Sequence, residues 1–232
     1  NLGGRTLWFD EAFSVFFGEK GPSAMVEGTL TQEGGAAAEE HPLLYYTLLH
    51  VWMKLVGHSV EAIRALSVLA GVLAIAVVFR LAADLFDGRV ALCAALIVAL
   101  APFHIQYSQE ARMYALLALW LTLATWCFVR GWKRSGGWGW WAAFAVLAAL
   151  SMYTQQLAAF YLLALASFPV LVRRWDMLRR VMVAGVGALI LYAPWLINLP
   201  QQMGKLQQGF WVPQPDLFQV LRTLFVLTMP FL

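Results

Sequence analysis

Charged residues are scarce in this chain of 232 residues: Asp, Glu, Lys and Arg together make up 12% of it, whereas soluble domains carry about 25%. Hydrophobic residues fill the difference and reach 61%. Water is a poor solvent for such a chain, and a lipid bilayer is the expected one. The net charge of +3 does not indicate a nucleic-acid partner, because the basic residues lie at the ends of apolar runs, as they do in membrane helices.

Several catalytic and redox motifs are also absent. The only two cysteines, Cys93 and Cys127, lie inside apolar runs, which argues against a disulfide framework. The sequence contains no GxSxG, HExxH, P-loop or CxxC motif. It also has no DxD motif of the kind with which nucleotide-sugar transferases hold a metal. None of these motifs therefore offers a competing catalytic site.

Long apolar runs predict an all-α, polytopic transmembrane protein. A spanning helix needs roughly 20 predominantly apolar residues. About six to seven spans are predicted, at about 62–83, 89–105, 111–130, 138–153, 157–172 and 180–199, with another beginning near 217. The chain opens on a loop-like stretch and stops inside an apolar run, so we expect an interior piece of a longer protein.

The shorter run at 42–57 is predicted to form a helix along the membrane surface, because it is short for a span and carries His50 and Lys54. Residues 1–61 then form a large outer loop, followed by a transmembrane domain over 62–232 with outer loops at about 103–112, 151–156 and 200–216. The loops and helix ends of the other side hold nine basic residues against three acidic ones. By the positive-inside rule that side is cytoplasmic, which predicts a multi-pass protein of the cell (inner) membrane.

Three polar clusters lie on the predicted outer side. Each has an ordinary explanation: water-facing acids in the first, a helix N-terminus in the second and a plain ion pair in the third. The clusters contribute these candidate residues: Asp10 and Glu11, then Glu40 and His41, then Glu110, Arg112 and the adjacent Tyr114. Gln155, at the outer turn 151–156, is a further candidate for contact with sugar hydroxyls.

Together these groups suit the transfer of a sugar from a lipid phosphate. A carboxylate must take the proton from the acceptor hydroxyl as that oxygen attacks the anomeric carbon. A cation must hold the departing phosphate, whose negative charge grows in the transition state. Apolar helices alongside must hold the polyprenyl tail.

The ordered motifs WFDEAFS, HPLLYYTLLHVWMKLVG, EAIRALSVLAGVLAI and YSQEARMYALLAL resemble the bacterial GT-C glycosyltransferases. The similar branch is the one related to protein O-mannosyltransferases and the lipid A aminoarabinose transferase (glycosyltransferase family 39/83-like). The resemblance implies an inverting transfer of a monosaccharide from a polyprenyl-phosphate donor to an acceptor on the outer, periplasmic face. The acceptor class, whether protein, lipid or glycan, stays open.

The resemblance also implies roles for individual residues. Asp10 matches the catalytic base, with Glu11 as its neighbour. Glu40 matches an acid near the donor phosphate, where some members bind a divalent metal, and no cofactor is otherwise indicated. Arg112 is assigned to the carrier phosphate, beside Glu110. Tyr114 departs from the aminoarabinose branch, which has an acid at that place.

Two other functions remain as alternatives. One is a non-catalytic structural subunit that packs on a partner in a larger membrane complex through the Trp-rich run Trp138, Trp140 and Trp141. The other is a transporter, against which the predicted spans carry few ionisable residues in their interiors.

Overall fold

The computed structural model describes residues 2–30, 41–133, 137–197 and 216–228, and every regular element in these ranges is a helix. The helices are α1 (Phe9–Glu19), α2 (Pro22–Leu30), α3 (Leu44–Val56), α4 (Val60–Leu85), α5 (Gly88–Leu100), α6 (Pro102–Ser108), α7 (Tyr114–Lys133), α8 (Trp138–Thr154), α9 (Ala158–Leu171), α10 (Trp175–Leu196) and α11 (Leu217–Thr228). The predicted all-α class is confirmed.

Within the described residues, each apolar run that predicts a span is mostly helical, but the helices differ in length. Among the described residues, α4, α7 and α10 are long and apolar enough to cross a membrane, and the bent pair α5–α6 makes a fourth. Helix α9 has 14 residues and reaches only about 21 Å at 1.5 Å per residue, less than the roughly 30 Å of the hydrocarbon core. Length and composition therefore support three or four spans here rather than six to seven.

A sharp bend interrupts the predicted span at 89–105. Pro102 occupies the first turn of α6, and Ala101 before it is extended (φ −65°, ψ 121°), as residues before proline usually are. Helices α5 and α6 consequently meet at 61°. The bend lays α6 against α4, where Gly71 leaves room for it: a Cβ on Gly71 would overlap the Ser108 side chain.

Two buried clusters hold the helices together. The first joins α1, α3, α4 and α7 through residues that include Phe17, Tyr46, Leu49 and Met113. The second joins α7, α8 and α10 around Trp141, and the partly buried Leu43 packs against both clusters. The first cluster fixes α1 and α3 on the end of the bundle where α4 and α7 begin.

Helix α3 corresponds to the run predicted at 42–57. It buries one face, with Tyr45, Tyr46 and Leu49, and leaves Val51 and Leu55 of the opposite face exposed. An exposed apolar face fits a helix that lies on a membrane surface. Its orientation in the membrane, and the division into an outer loop at 1–61 and a transmembrane domain at 62–232, stay predictions.

Candidate active site

The first turn of α1 directs its two carboxylates differently. Trp8 precedes the helix in an extended conformation, and the Glu11 carboxylate accepts a hydrogen bond from the Trp8 backbone N–H (3.3 Å). Acids in this turn also face the positive end of the helix dipole. Because successive helical residues point about 100° apart, Asp10 and Glu11 occupy different environments.

Glu11 is fully buried and forms an ion pair with Arg64 of α4. Its Oε1 accepts from Arg64 Nε (2.9 Å) and from the Ala111 N–H (2.8 Å), and its Oε2 accepts from Arg64 Nη2 (2.7 Å). Arg64 in turn donates to the carbonyl oxygens of Leu2, Arg5 and Thr6. The pair therefore ties four segments together: residues 2–6, α1, α4 and the turn at 109–113.

These contacts keep the Glu11 carboxylate ionised. Burial is the largest influence and raises the pKa of Glu11, but the hydrogen bonds from Arg64 and the Ala111 N–H and the charge of Arg64 outweigh it. The net result is a pKa below the ordinary value of 4.5. A buried carboxylate with four hydrogen bonds is poorly suited to accept a proton from a substrate, and its contacts favour a positioning role.

The Asp10 carboxylate, unlike that of Glu11, is accessible from outside the protein. Its side chain is 36% exposed, and its carboxylate lies 3.8 Å from Nη2 of the buried Arg112. Arg112 also donates to the Asp10 carbonyl (3.5 Å) and to Ser14 Oγ (3.3 Å), and the Ser14 hydroxyl donates to the same carbonyl (2.8 Å). The arrangement leaves one accessible carboxylate held in place by a fixed cation.

The turn between α6 and α7 presents the third predicted cluster. The Arg112 N–H donates to the Glu110 carbonyl (2.8 Å), and the Ser67 hydroxyl donates to the Arg112 carbonyl (3.4 Å). The Glu110 carboxylate accepts from Gln106 Nε2 (3.2 Å). Glu110 and Arg112 thus lie together in the turn, but the carboxylate of Glu110 is bound by Gln106 while the guanidinium of Arg112 faces Asp10.

An open cavity of about 1240 Å³ lies beside these groups. Its walls come from residues 2–8, from the Glu11–Arg64 pair, and from residues between Pro102 and Tyr114 that include Gln106, Tyr107, Gln109 and Glu110. Tyr114 lines the cavity and also packs against Arg112, with 5.9 Å between the guanidinium carbon and the ring centroid. Asp10 and Arg112 are not part of the lining themselves, but Glu11, the next residue after Asp10, and Tyr114, which contacts Arg112, both line the cavity.

The remaining predicted residues lie apart from this cavity or outside the described residues. His41 is half-buried just before α3, and Gln155 is half-buried in the turn after α8, where its N–H binds the Ser151 carbonyl. Glu40 and all of the loop at 200–216 except residue 216 lie outside the described residues. Within the described ranges, no three His, Cys, Asp or Glu side chains converge as a metal site would require, so the metal prediction at Glu40 stays untested.

Arg64 is the important residue that the sequence analysis did not single out. An arginine in the first turns of a 26-residue apolar helix is a signal in itself, because an ionisable residue at such a place needs a partner. The partner cannot be identified from spacing, since Glu11 lies 53 residues earlier.

Comparison with known proteins gives two kinds of likeness. A family model described as dolichyl-phosphate-mannose-protein mannosyltransferase matches residues 40–198. The crystal structure of ArnT from Cupriavidus metallidurans in the apo state matches with a TM-score of 0.70 and 19% identity over 93% of this chain and 42% of that one. The structure of ArnT bound to undecaprenyl phosphate matches with a TM-score of 0.69 and 22% identity over 84% of this chain and 38% of that one.

These matches differ in what they establish. At such identities the structural likeness shows a shared fold. The chain spans about two fifths of the length of ArnT. Among curated proteins, no sequence matches this chain significantly. The family match covers 159 of the 232 residues, well over half of the chain.

Proposed function

This chain belongs to the dolichyl-phosphate-mannose-protein mannosyltransferase family, and from that premise we propose that it forms part of an inverting glycosyltransferase. The reaction moves a monosaccharide from a polyprenyl-phosphate carrier to an acceptor hydroxyl. The observation that carries the proposal is Asp10, an accessible carboxylate fixed by the buried Arg112 beside a large polar cavity. The likeness to ArnT, which has been crystallised with undecaprenyl phosphate, supports a polyprenyl-phosphate donor.

Asp10 is the general base in this mechanism. Its carboxylate takes the proton of the acceptor hydroxyl while that oxygen forms a bond to the anomeric carbon of the donor sugar. The bond between the anomeric carbon and the phosphate oxygen breaks on the opposite face. Its electron pair leaves with the polyprenyl phosphate, and the configuration of the sugar is inverted.

Arg112 and Glu11 support this base in different ways. The buried guanidinium of Arg112 contacts both Asp10 and Ser14, and these contacts favour a role in orienting Asp10. The assignment of Arg112 to the carrier phosphate remains a prediction. Glu11, through the Ala111 N–H, holds the turn that carries Arg112. Fixing these groups before substrate binds avoids reorganisation during the reaction.

The protein is a multi-pass membrane protein, and we place it in the inner membrane with Asp10 facing the periplasm. The support is the charge count of nine basic residues against three acidic ones on the opposite side of the bundle. A divalent metal near Glu40 is kept as a prediction, and no step of the mechanism depends on it.

The decisive test is transfer of label by the complete protein from a panel of polyprenyl-phosphate sugars, with Asp10→Asn in parallel. Removing the base is expected to lower kcat by about 10²–10⁴-fold without loss of folding. Asp176→Asn is the matched control, because Asp176 is an exposed carboxylate at the other end of the bundle. Undiminished transfer by Asp10→Asn would refute the assignment of the base, and a well-folded wild type without turnover on any donor would refute the proposed function.

A further inference from the structure

Ser14 is a fully buried serine that lies one helical turn after Asp10 in α1. Its hydroxyl donates to the Asp10 carbonyl oxygen (2.8 Å), and its oxygen accepts a hydrogen bond from Nη1 of Arg112 (3.3 Å). A hydroxyl has one proton to donate and two lone pairs. Because the proton is used on the Asp10 carbonyl, the Ser14 oxygen presents only acceptor positions to Arg112.

The contacts of Arg112 with α1 divide the two ends of its guanidinium. Nη2 lies 3.8 Å from the Asp10 carboxylate, whereas Nη1 lies 3.3 Å from Ser14 Oγ and 3.5 Å from the Asp10 carbonyl oxygen. The contact with Ser14 is the shortest of these. A guanidinium is planar and rigid, so holding Nη1 in one place also fixes the direction in which Nη2 points.

The Ser14 hydroxyl binds this guanidinium without cancelling its charge. Arg64, which is also buried, is paired with the Glu11 carboxylate at 2.7 Å and is neutralised by it. Ser14 is neutral, so Arg112 keeps its positive charge for the Asp10 carboxylate. A buried donor without an acceptor is costly, and Ser14 removes that cost for Nη1.

The ordinary behaviour of a helical serine explains only part of this arrangement. Serine in the middle of a helix commonly donates to the carbonyl four residues earlier. Ser151 in α8 does so: it is fully buried, and its hydroxyl donates to the Leu147 carbonyl oxygen (2.7 Å). Ser14 makes the same bond and adds the contact with Arg112, so Ser151 is a matched control for it.

We propose that Ser14 is a positioning residue for the glycosyl transfer: it holds one end of the Arg112 guanidinium so that the other end faces the Asp10 carboxylate. The proposal rests on the proposed function, in which Asp10 is the base. Without the Ser14 acceptor, the guanidinium turns about the bonds of its long side chain, and Asp10 loses a fixed partner. Ser14 is fully buried and acts through Arg112 rather than on the substrate.

The first test compares Ser14→Ala with Ser151→Ala in the complete protein. Turnover is followed as release of polyprenyl phosphate from whichever polyprenyl-phosphate sugar of the panel the wild type uses. Ser14→Ala should lower kcat about tenfold, the effect of one lost hydrogen bond to a charged group. Donor KM should stay unchanged, because Ser14 does not touch the donor.

The control variants separate positioning from packing. Ser151→Ala should keep the kcat of the wild type, and Ser14→Thr, which retains a hydroxyl able to bond the same carbonyl, should restore most of the lost kcat. The proposal is overturned if Ser14→Ala keeps the kcat of the wild type, or if both alanine variants lose kcat equally. It is also overturned if Ser14→Ala changes donor KM alone.

A double-mutant cycle tests whether Ser14 acts through Arg112. Arg112→Lys removes the planar guanidinium, so adding Ser14→Ala to it should lower kcat no further. Losses of kcat that multiply in the double variant would show that Ser14 acts independently of Arg112 and would overturn the proposal. Ser14→Cys, whose sulfur accepts hydrogen bonds weakly, takes the place of Ser14→Ala in each test if the alanine variant does not fold.

A chemical measurement tests the contact without turnover. Phenylglyoxal modifies arginine side chains, and mass spectrometry of peptides gives the rate at each arginine. Ser14→Ala should raise the rate at Arg112 about tenfold by favouring its local opening, while the rate at Arg64, bound to Glu11, stays unchanged as an internal reference. An equal rate at Arg112 in both proteins would overturn the proposal. A raised rate together with a wild type that turns over no donor would support the hold of Ser14 on Arg112 and count against the proposed function instead.

Discussion

Replacing Glu11 by Gln is predicted to destabilise the fold strongly, because it leaves the buried guanidinium of Arg64 without a counter-charge. Four hydrogen bonds end on the Glu11 carboxylate, and both side chains of the pair are at most 6% exposed. Removing one partner of a buried ion pair typically costs about 3–5 kcal/mol. For a chain of this size that corresponds to a fall in Tm of roughly 6–20 °C.

The assay is thermal unfolding of the detergent-solubilised protein, followed by far-UV circular dichroism. Arg64→Met should cost a similar amount, since it leaves Glu11 buried and unpaired. The double variant Glu11→Leu/Arg64→Met should cost less than the sum of the single changes, because no buried charge remains. A loss of 1 kcal/mol would lower the Tm by about 2 °C or more. A Tm for Glu11→Gln within about 2 °C of wild type would therefore refute this reasoning. Strictly additive losses of stability in the double variant would also refute it.

The remaining predictions concern pH, the base and helix packing. The pKa of Glu11 lies below 4.5, so the stabilisation that the ionised Glu11 gives the fold is complete above that pH and is lost as the pH falls through the lowered pKa. The Tm difference between wild type and Glu11→Gln should therefore shrink below about pH 4.5. A constant Tm difference from about pH 7 to 3 would contradict this prediction. If Arg112 orients the base, Arg112→Lys should lower kcat about 10–100-fold with little change in donor KM. Steady-state kinetics in which donor KM rises instead would show that Arg112 binds the carrier phosphate. Gly131→Ala brings a Cβ to 2.8 Å from Trp141 and should lower the free energy of unfolding by about 1–3 kcal/mol through overpacking. Gly185→Ala, whose Cβ meets nothing within 4 Å, should leave the Tm unchanged or raise it. Equal Tm values for the two variants would contradict this packing.

The helical class and the positions of the apolar helices follow directly from the sequence, because hydrophobic runs have few ways to satisfy their backbone groups in a bilayer. Helices α1 and α2 do not follow from it, since they lie in the segment 1–61 that was predicted as a loop with a single helix at 42–57. The bend at Pro102 shows the limit of that reasoning. Composition alone continues the span to residue 105, and the proline marks a break, but its angle and the contact of α6 with Gly71 depend on packing against α4.

For the site, the sequence supplied the residue types, and the tertiary structure decided their roles. The motif around Asp10 and the segment around Arg112 predict a carboxylate and a cation on one membrane face, and the fold brings them to 3.8 Å across about 100 residues of sequence. Residue type and spacing do not distinguish the adjacent acids Asp10 and Glu11, and before the structure only the resemblance to a known family assigns the base to Asp10. The physical difference between them comes from the position of Arg64, because its charge and hydrogen bonds hold Glu11 in the interior, whereas Asp10 is 36% exposed.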